Sequence, residues 1–385
     1  MTILEQIDLL EIYDIDKITM FKIFQNKVVL ITGHTGFKGS WLALWLNHLG
    51  AKVVGLSLGI PTNPSNFETT NLNPLIQSYD VDIRDRESIS EVVHSCQPDF
   101  VFHLAAQALV RPSYDSPIKT IETNAMGTVN LLDSLRSINK DVVAVIITSD
   151  KVYDNVEWSW GYKETDRIGG KDPYSASKGM AEIAIRSYVE SYFNNANPNV
   201  RLCTTRAGNV IGGGDWAKDR IVPDCMRAWS KNEAVNIRSP FSTRPWQHVL
   251  EPLSGYLVLA FKLSQSSKLH GEAYNFGPST SKNYSVSNLL DEMSKHWNKV
   301  QWNDISDKSD QLHEAGLLKL NCDKALSELN WQPTLNFAET VRMTVDWYKN
   351  YYDNQEDSTF NFAIAQINEY IGLAESRCME WASND

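Results

Sequence analysis

Cysteines are few in this sequence, and their spacing excludes two kinds of site. Five cysteines occur among 385 residues, and none belongs to a CxxC pair or a closely spaced set. Structural zinc sites and disulfide frameworks depend on such spacings. We therefore expect no metal site and no disulfide scaffold, and we expect a reducing compartment.

The sequence also lacks long apolar runs and an excess of basic residues. No run approaches the roughly 20 apolar residues that a helix needs to cross a bilayer. The net charge of -11 argues against nucleic acid or an anionic membrane as the main partner. Residues 1–16 carry five acidic side chains where a signal peptide needs a basic start. These absences predict a cytoplasmic protein, and they leave room for a small anionic ligand.

Three glycines that follow a β-branched run predict a dinucleotide-binding turn. The run Lys27–Thr32 has the composition of a buried strand, and an amphipathic helical pattern follows the glycines. Such glycines permit a tight turn, close approach of the backbone to a pyrophosphate, and close packing of helix on strand. The residues expected at the cofactor are Gly33, His34, Thr35, Gly36, Phe37, Lys38 and Gly39.

The next strands refine this prediction without deciding the type of cofactor. The strand Lys52–Ser57 ends without the acidic residue that usually binds the adenine ribose, which leaves NAD and NADP both open. A third strand ends near Asp82, which we expect at the adenine. The strand Asp99–Gln107 ends in small residues that suit a flat nicotinamide, and His103 within it is predicted to be a core histidine.

Regular alternation of strands and helices predicts an α/β fold, a Rossmann-type doubly wound parallel sheet. From about residue 200 the alternation stops, and arginines recur between Trp- and Pro-rich loops, which suits a nucleotide-linked substrate. Because no linker separates the two parts, we expect a smaller, interleaved C-terminal substrate-binding domain. The predicted boundaries are an extension at 1–24, a cofactor domain at 25–205, a mainly substrate-binding domain at 206–355, and a helical tail at 356–385.

Two pairs of residues are the candidates for chemistry. The apolar run that begins at Val145 stops at an acid and a base, Asp150 and Lys151, where a buried strand would open into a crevice. Ordinary solvated loop residues are the alternative. Tyr174 and Lys178 lie four residues apart, on one face of a predicted helix. A phenol becomes a usable base when an ammonium group beside it favours the phenolate.

These residues together resemble the extended short-chain dehydrogenase/reductase family. The family motifs are T-G-x-x-G-x-x-G at 32–39, the Asp82 position, the strand end at 103–107, Asn124, and Tyr174 with Lys178. Longer strings at 33–42, 149–153, 160–162, 207–216 and 244–252 resemble the nucleotide-sugar 4,6-dehydratases of that family. The resemblance covers about residues 25 to 350.

The resemblance implies an NAD-dependent dehydration of CDP-glucose. The sugar is oxidised at carbon 4, loses water across carbons 5 and 6, and receives the hydride back at carbon 6. By the same resemblance, Tyr174 takes the proton of the carbon-4 hydroxyl, while Lys178 lowers the tyrosine pKa and holds the nicotinamide ribose. Lys151 removes the proton from carbon 5, and Asp150 protonates the departing hydroxyl of carbon 6.

Further site residues follow from the resemblance. Ser149 is expected to hydrogen-bond the carbon-4 hydroxyl, with Thr148 as its rival. A homodimer or homotetramer is expected, with the helices at about 115–138 and 174–193 forming the dimer. The remaining cofactor contacts are Asp82, Ile83, Leu104, Ala105, Ala106 and Asn124, and the substrate contacts are Gln107, Asn209, Arg220, Arg238, Arg244 and His248.

Three alternatives remain open. An inverting 4,6-dehydratase of UDP-N-acetylglucosamine also has an Asp-Lys arrangement, although the string at 244–252 argues against it. A nucleotide-sugar 4-epimerase has no use for Asp150 and Lys151. A non-catalytic NAD-sensing protein on this fold would commonly lose the tyrosine or the lysine, and both are present here.

Overall fold

A parallel sheet of seven strands forms the centre of the protein. The structure, a computed structural model, describes residues 20–194, 199–279, 283–306, 317–354 and 359–383. The sheet order is β11-β6-β5-β4-β1-β2-β3, and every pair of neighbours is parallel. This arrangement confirms the predicted Rossmann-type sheet.

The strands are β1 (Val28–Thr32), β2 (Lys52–Ser57), β3 (Gln77–Asp80), β4 (Phe100–His103), β5 (Val142–Ile147), β6 (Val200–Ala207), β7 (Val210–Ile211), β8 (Val235–Ile237), β9 (Thr243–Arg244), β10 (Gln247–His248), β11 (Ala273–Phe276), β12 (Tyr284–Ser285) and β13 (Trp302–Asp304).

Helices cover the sheet, and local capping residues explain where several of them begin. Asp85 accepts hydrogen bonds from the backbone of Glu87 and Ser88, and Asp172 accepts one from Ser175. The helices are α1 (Phe37–His48), α2 (Asn66–Thr69), α3 (Arg86–Cys96), α4 (Val110–Asp115), α5 (Pro117–Ile121), α6 (Gly127–Leu135), α7 (Pro173–Tyr188), α8 (Ile221–Ser230), α9 (Leu250–Gln265), α10 (Val286–Ser294), α11 (Asp323–Leu329), α12 (Phe337–Asn354) and α13 (Thr359–Ser376).

Two strands end earlier than the sequence patterns indicate. β4 stops at His103, so the small residues that follow lie in a loop rather than in the strand. β3 stops at Asp80, which leaves Asp82 in the connection to α3. The segments that follow β3 and β4 leave the sheet at its carboxyl edge, where a doubly wound sheet binds its ligands.

Segments from the second half of the chain complete the first half. β11 pairs with β6 at the end of the main sheet. The predicted extension and tail meet in the same core: Phe21 stacks on Trp381 with ring centroids 5.5 Å apart, and Phe24 packs against Phe100 at 4.8 Å. Residues 1–19 of the predicted extension lie outside the described residues.

A buried histidine links β1 and β4, the two neighbouring strands between which the strand order of the sheet reverses. Thr32 at the end of β1 and His103 at the end of β4 are paired in register, and their side chains lie 2.7 Å apart (Oγ1 to Nδ1). The other ring nitrogen of His103 lies 3.0 Å from the hydroxyl of Thr128. Burial lowers the pKa of His103 to about 3. The interpretation of His103 as a core histidine is therefore confirmed.

One buried carboxyl group fastens the last helix to the core. Glu251 on α9 accepts hydrogen bonds from the backbone of Thr334 (2.9 Å) and Leu335 (2.5 Å) and from the hydroxyl of Tyr370 on α13 (2.8 Å). Burial raises the pKa of Glu251 to about 7, against the lowering effect of these three donors.

The raised pKa of Glu251 makes the stability of the fold depend on pH. The folded protein binds this proton more tightly than the unfolded chain, so the contribution is full below about pH 4.5 and is lost as the pH rises through about 7. Glu251→Gln removes this titration. Between about pH 5 and about pH 7.5, the free energy of unfolding should fall by about 2 kcal/mol more in the parent protein than in the variant. Chemical denaturation at the two pH values measures the free energy of unfolding of each protein. An equal change in this free energy between the two pH values in the parent and the variant would contradict the raised pKa of Glu251.

Candidate active site

The glycine turn is packed too tightly for side chains at two of its positions. Gly33 has a φ of +79°, and a Cβ there would lie 2.6 Å from the backbone nitrogen of Ala105. A Cβ on Gly39 would lie 2.0 Å from the carbonyl oxygen of Gly33. Gly36 caps α1 without a side-chain hydrogen bond, which leaves the first N–H groups of the helix directed at a potential anion. The turn therefore fits the pyrophosphate of a dinucleotide.

Two predicted cofactor residues in this turn use their side chains to hold neighbouring strands. His34 is fully buried, and its ring nitrogens lie 2.9 Å from the hydroxyl of Ser57 and 2.7 Å from that of Ser78. Burial lowers the pKa of His34 to about 4. The hydroxyl of Thr35 donates to the carbonyl oxygen of Gly59 at 2.8 Å. Any contact from these residues to a cofactor would come from their backbone.

An acidic residue that the sequence patterns did not single out lies beside the loop after β2. Asp80, at the end of β3, accepts a hydrogen bond from the backbone of Gly59 at 2.8 Å, and its side chain is exposed. Asp82 instead pairs with Arg84, and these hydrogen bonds lower the pKa of Asp82. Ile83 is buried against Gly127. Asp80 thus lies near the end of β2, which lacks the acidic residue that usually binds the adenine ribose.

The turn that follows β5 displays the predicted acid and base. Ser149 caps a short 3-10 helix (Asp150–Val152): its hydroxyl accepts from the backbone of Lys151 at 3.2 Å and donates to Asp150 at 3.0 Å. A hydrogen bond also joins Ser149 to Tyr174. The hydroxyl of Thr148 is occupied elsewhere, because it donates to Glu182 at 2.6 Å. The geometry therefore favours Ser149 over Thr148 as the group facing the crevice.

Asp150 and Lys151 differ in their surroundings. Asp150 is 3% exposed, and burial raises its pKa although Lys151, Ser149 and Lys38 all act to lower it. The carboxyl packs directly on Gly208, where an added Cβ would lie 1.8 Å from Oδ2. Lys151 is exposed on the same turn. A carboxyl group whose pKa is raised by burial and an exposed lysine on the same turn can act as an acid and a base side by side.

Tyr174 and Lys178 lie on the buried face of α7, as predicted. Burial and the charge of Asp150 raise the pKa of Tyr174, whereas the contact with the hydroxyl of Ser149 and the positive charge of Arg220 lower it. The charge of Arg220 thus favours the phenolate of Tyr174, and the predicted effect of Lys178 on the tyrosine stays a prediction. Lys178 donates to the carbonyl oxygen of Ile147 at 3.4 Å, and burial lowers its pKa to about 8 against the charge of Glu182.

Positive charge gathers around these groups. The pKa of Lys38 is lowered to about 7 by burial and then by the charges of Lys178 and Arg220, while Asp150 raises it. Asp215 holds Arg220 through an ion pair of 2.8 Å. A cluster of cations beside a glycine turn suits ligands that carry phosphates.

The residues predicted after β4 form a self-bonded loop. Asn124 is buried; it accepts from the backbone of Gln107 at 2.8 Å and donates to the hydroxyl of Ser177 at 2.8 Å. The side chain of Gln107 bonds the backbone of Leu109 and the hydroxyl of Thr120. Both side chains therefore position the loop and α7. The half-buried loop residues before Gln107 are Leu104, Ala105 and Ala106.

The other predicted substrate residues differ in their exposure. His248 has no exposed surface, lies with its ring centroid 6.4 Å from that of Trp41, and has a pKa lowered to about 3 by burial. We therefore leave His248 out of the proposed site. Asn209 adopts a φ of +51° in the turn between β6 and β7. Arg244 is half-buried and donates to the carbonyl oxygen of Thr243 at 2.8 Å, and Arg238 is exposed.

Neither a metal cluster nor a membrane span occurs in the part of the chain that the structure describes. Among those residues, no group of three or more His, Cys, Asp or Glu side chains could hold a metal ion. Within the same ranges, no helix has the length and apolarity needed to span a membrane.

Sheet order, glycine turn and the Tyr174–Lys178 helix define a dinucleotide-binding fold of the extended short-chain dehydrogenase/reductase class. The model of the family described as GDP-mannose 4,6 dehydratase matches residues 30–344. The chain belongs to this family.

Curated relatives of this chain are nucleotide-sugar enzymes. A CDP-glucose 4,6-dehydratase of Salmonella typhimurium is 49% identical over 330 residues, which cover 85% of this chain and 91% of that protein. A dTDP-glucose 4,6-dehydratase of Haemophilus influenzae is 27% identical and covers 83% of this chain and 97% of its own.

Solved structures share the fold. A UDP-glucose 4-epimerase of Thermotoga maritima superposes with a TM-score of 0.70 at 21% identity, over 84% of this chain and 99% of the epimerase. A double mutant of the dTDP-glucose 4,6-dehydratase of Streptomyces venezuelae, with NAD bound, gives 0.69 at 21% identity, over 84% and 97%.

Proposed function

We propose that this protein dehydrates CDP-D-glucose to CDP-4-dehydro-6-deoxy-D-glucose with NAD as cofactor. The observation that carries the proposal is the turn after β5, where Asp150, a buried acid with a raised pKa, lies near Tyr174 and is followed by the exposed Lys151. The 49% identity to a CDP-glucose 4,6-dehydratase supports the choice of substrate.

NAD fits the glycine turn and the cation cluster. The backbone of the turn from Gly33 to Gly39 would hold the pyrophosphate, and Lys178 would hold the nicotinamide ribose. Asp80 supports NAD over NADP, because an exposed carboxylate beside the loop after β2 would repel a 2′-phosphate. When bound, NAD takes a hydride from carbon 4 of the sugar and later supplies it to carbon 6.

Tyr174 and Ser149 would serve the oxidation at carbon 4. Tyr174 accepts the proton of the hydroxyl, and Ser149 orients that hydroxyl. The positive charge of Arg220 favours the phenolate of Tyr174. Arg220 would thus act on the base and on a substrate diphosphate, and Asn209, Arg238 and Arg244 remain proposed contacts to the nucleotide.

Asp150 and Lys151 would carry out the elimination. The carbonyl group at carbon 4 acidifies the hydrogen on carbon 5, which Lys151 removes as a proton. Asp150 would donate a proton to the departing hydroxyl of carbon 6, and the rise of its pKa on burial favours that role. Because Lys151 is exposed in the free protein, the bound sugar would have to shield its amine from water. An epimerase needs neither group, which favours dehydration over that alternative.

Exposed apolar side chains support a homodimer through α5 and α7. Ile118 is 73% exposed, Ile183 63% and Met126 50%, and these residues lie on adjoining helical segments. Such a patch on a folded chain marks an interaction surface. A second copy of this chain would cover it, and a homotetramer would require a further interface.

The cytoplasmic location remains a prediction. The supporting observation is that the five cysteines are unpaired, as in a reducing compartment.

An activity assay tests the proposed function. Purified protein, incubated with CDP-glucose and NAD, should form a product that develops the ultraviolet chromophore of 4-keto-6-deoxy sugars in strong alkali. UDP-N-acetylglucosamine in place of CDP-glucose is the comparison. Turnover of UDP-N-acetylglucosamine alone would transfer the assignment to the inverting dehydratases, and NAD binding without turnover of either sugar would indicate a sensor.

Replacement of the proposed base separates the two halves of the reaction. Lys151→Met should lower dehydration by about 10² to 10⁴-fold, the usual contribution of a general base, while reduction of the cofactor by CDP-glucose persists. Lys163→Met, at an exposed lysine on the following loop, is the matched control. Full dehydratase activity in Lys151→Met contradicts the assignment of the base.

The dimer surface is tested by a charge placed on it. Ile183→Asp should dissociate the dimer, as measured by sedimentation velocity, because a buried aspartate is strongly disfavoured at an apolar interface. Leu326→Asp, at an exposed leucine on α11, is the matched control and should leave the mass unchanged. A parent protein that sediments as a monomer overturns the proposal.

A further inference from the structure

A buried ion pair links β6 to α7 beneath the proposed acid and base. Arg206 is 2% exposed and Glu182 is 6% exposed. The guanidinium donates to both carboxylate oxygens of Glu182, through Nε at 2.8 Å and through Nη2. Buried pairs of this kind add little stability compared with apolar residues of similar volume. We therefore looked for a role of this ion pair other than stabilising the fold.

Glu182 connects the helix of Tyr174 to the residue before the proposed site. It lies eight residues after Tyr174 and four after Lys178, so the three side chains share one face of α7. Its carboxylate accepts a hydrogen bond from the hydroxyl of Thr148 at 2.6 Å. Thr148 immediately precedes Ser149.

Arg206 connects to the other end of the same turn. Its Nη1 donates to the hydroxyl of Tyr153 at 2.8 Å, and its guanidinium lies 4.8 Å from the centre of the tyrosine ring. The hydroxyl of Tyr153 in turn donates to Asn275 on β11 at 2.8 Å. Arg206 also precedes by two residues Gly208, on which Asp150 packs.

We propose that the Glu182–Arg206 pair is a positioning device for the turn 148–153. Its two charges fix Thr148 at one end and Tyr153 at the other, and Ser149, Asp150 and Lys151 lie between these fixed points. The same carboxylate belongs to the helix that presents Tyr174 and Lys178. One buried pair thus sets the distance between the groups for oxidation and the groups for elimination. The effect on catalysis rests on the proposed function.

Two variants loosen the turn with different severity. Glu182→Leu combined with Arg206→Met removes both charges at similar volume, so the fold should survive. Tyr153→Phe removes a single hydroxyl and keeps the ring on the guanidinium. Tyr370→Phe is the matched control, because Tyr370 is also buried and its hydroxyl also makes a buried hydrogen bond, to Glu251, away from the turn.

Steady-state kinetics and amide hydrogen exchange give independent readouts. The double variant should lower kcat by about 100-fold with unchanged KM, the effect of a displacement of about 1 Å, and Tyr153→Phe should lower kcat less. Exchange at the amides of 149–153 should accelerate by about tenfold in Tyr153→Phe, the equivalent of one lost hydrogen bond. Tyr370→Phe should change neither quantity.

The possible outcomes are distinct. Unchanged exchange at 149–153, or faster exchange with unchanged kcat, overturns the positioning role. A rise in KM with unchanged kcat also overturns it, since binding rather than placement would be affected. If the parent protein does not turn over CDP-glucose, the proposed function fails, and the exchange measurement alone then decides whether the pair holds the turn.

Discussion

Charge buried at the carboxyl edge of the sheet is the constraint on which the rest of this structure depends. Glu182 and Arg206 face each other there, and the hydrogen bonds and charge of Glu182 raise the pKa of Arg206 against the lowering effect of burial. Burial raises the pKa of Asp150 and lowers that of Lys178, so it favours the neutral form of each group. The same edge thus contains charges suited to holding structure and groups suited to exchanging protons.

Close packing of backbone places these groups. Gly33 and Gly39 bring α1 against β1 and the loop after β4, and Gly208 leaves room for the carboxyl group of Asp150. Further along, Asp215 holds Arg220, whose charge acts on Tyr174 and on Lys38. The cofactor turn, the acid and the proposed base for oxidation therefore lie together at one edge of the sheet.

Local patterns in the sequence were sufficient to predict the sheet and the glycine turn. The β-branched runs and the glycine spacing depend on neighbours along the chain, so sequence alone locates them. The ends of β3 and β4 depend on where the crevice opens, and these were placed too late along the chain.

Residues whose partners are remote in sequence were harder to interpret. His248 and Gln107 were predicted to bind substrate, yet the structure commits His248 to the core and the side chain of Gln107 to its own loop. Glu182 and Arg206 received no role, because 24 residues separate them in the chain. A charged residue near the end of a central strand was the available signal for Arg206, since a buried charge requires a partner.

The central claim is that one crevice moves a hydrogen from carbon 4 to carbon 6 of the same sugar. CDP-glucose that carries deuterium at carbon 4 tests this claim most directly, with the product examined by mass spectrometry and NMR. We expect deuterium at carbon 6 and a hydrogen from solvent at carbon 5, where Lys151 removes the original proton. Deuterium that stays at carbon 4, or is lost to solvent, would contradict it.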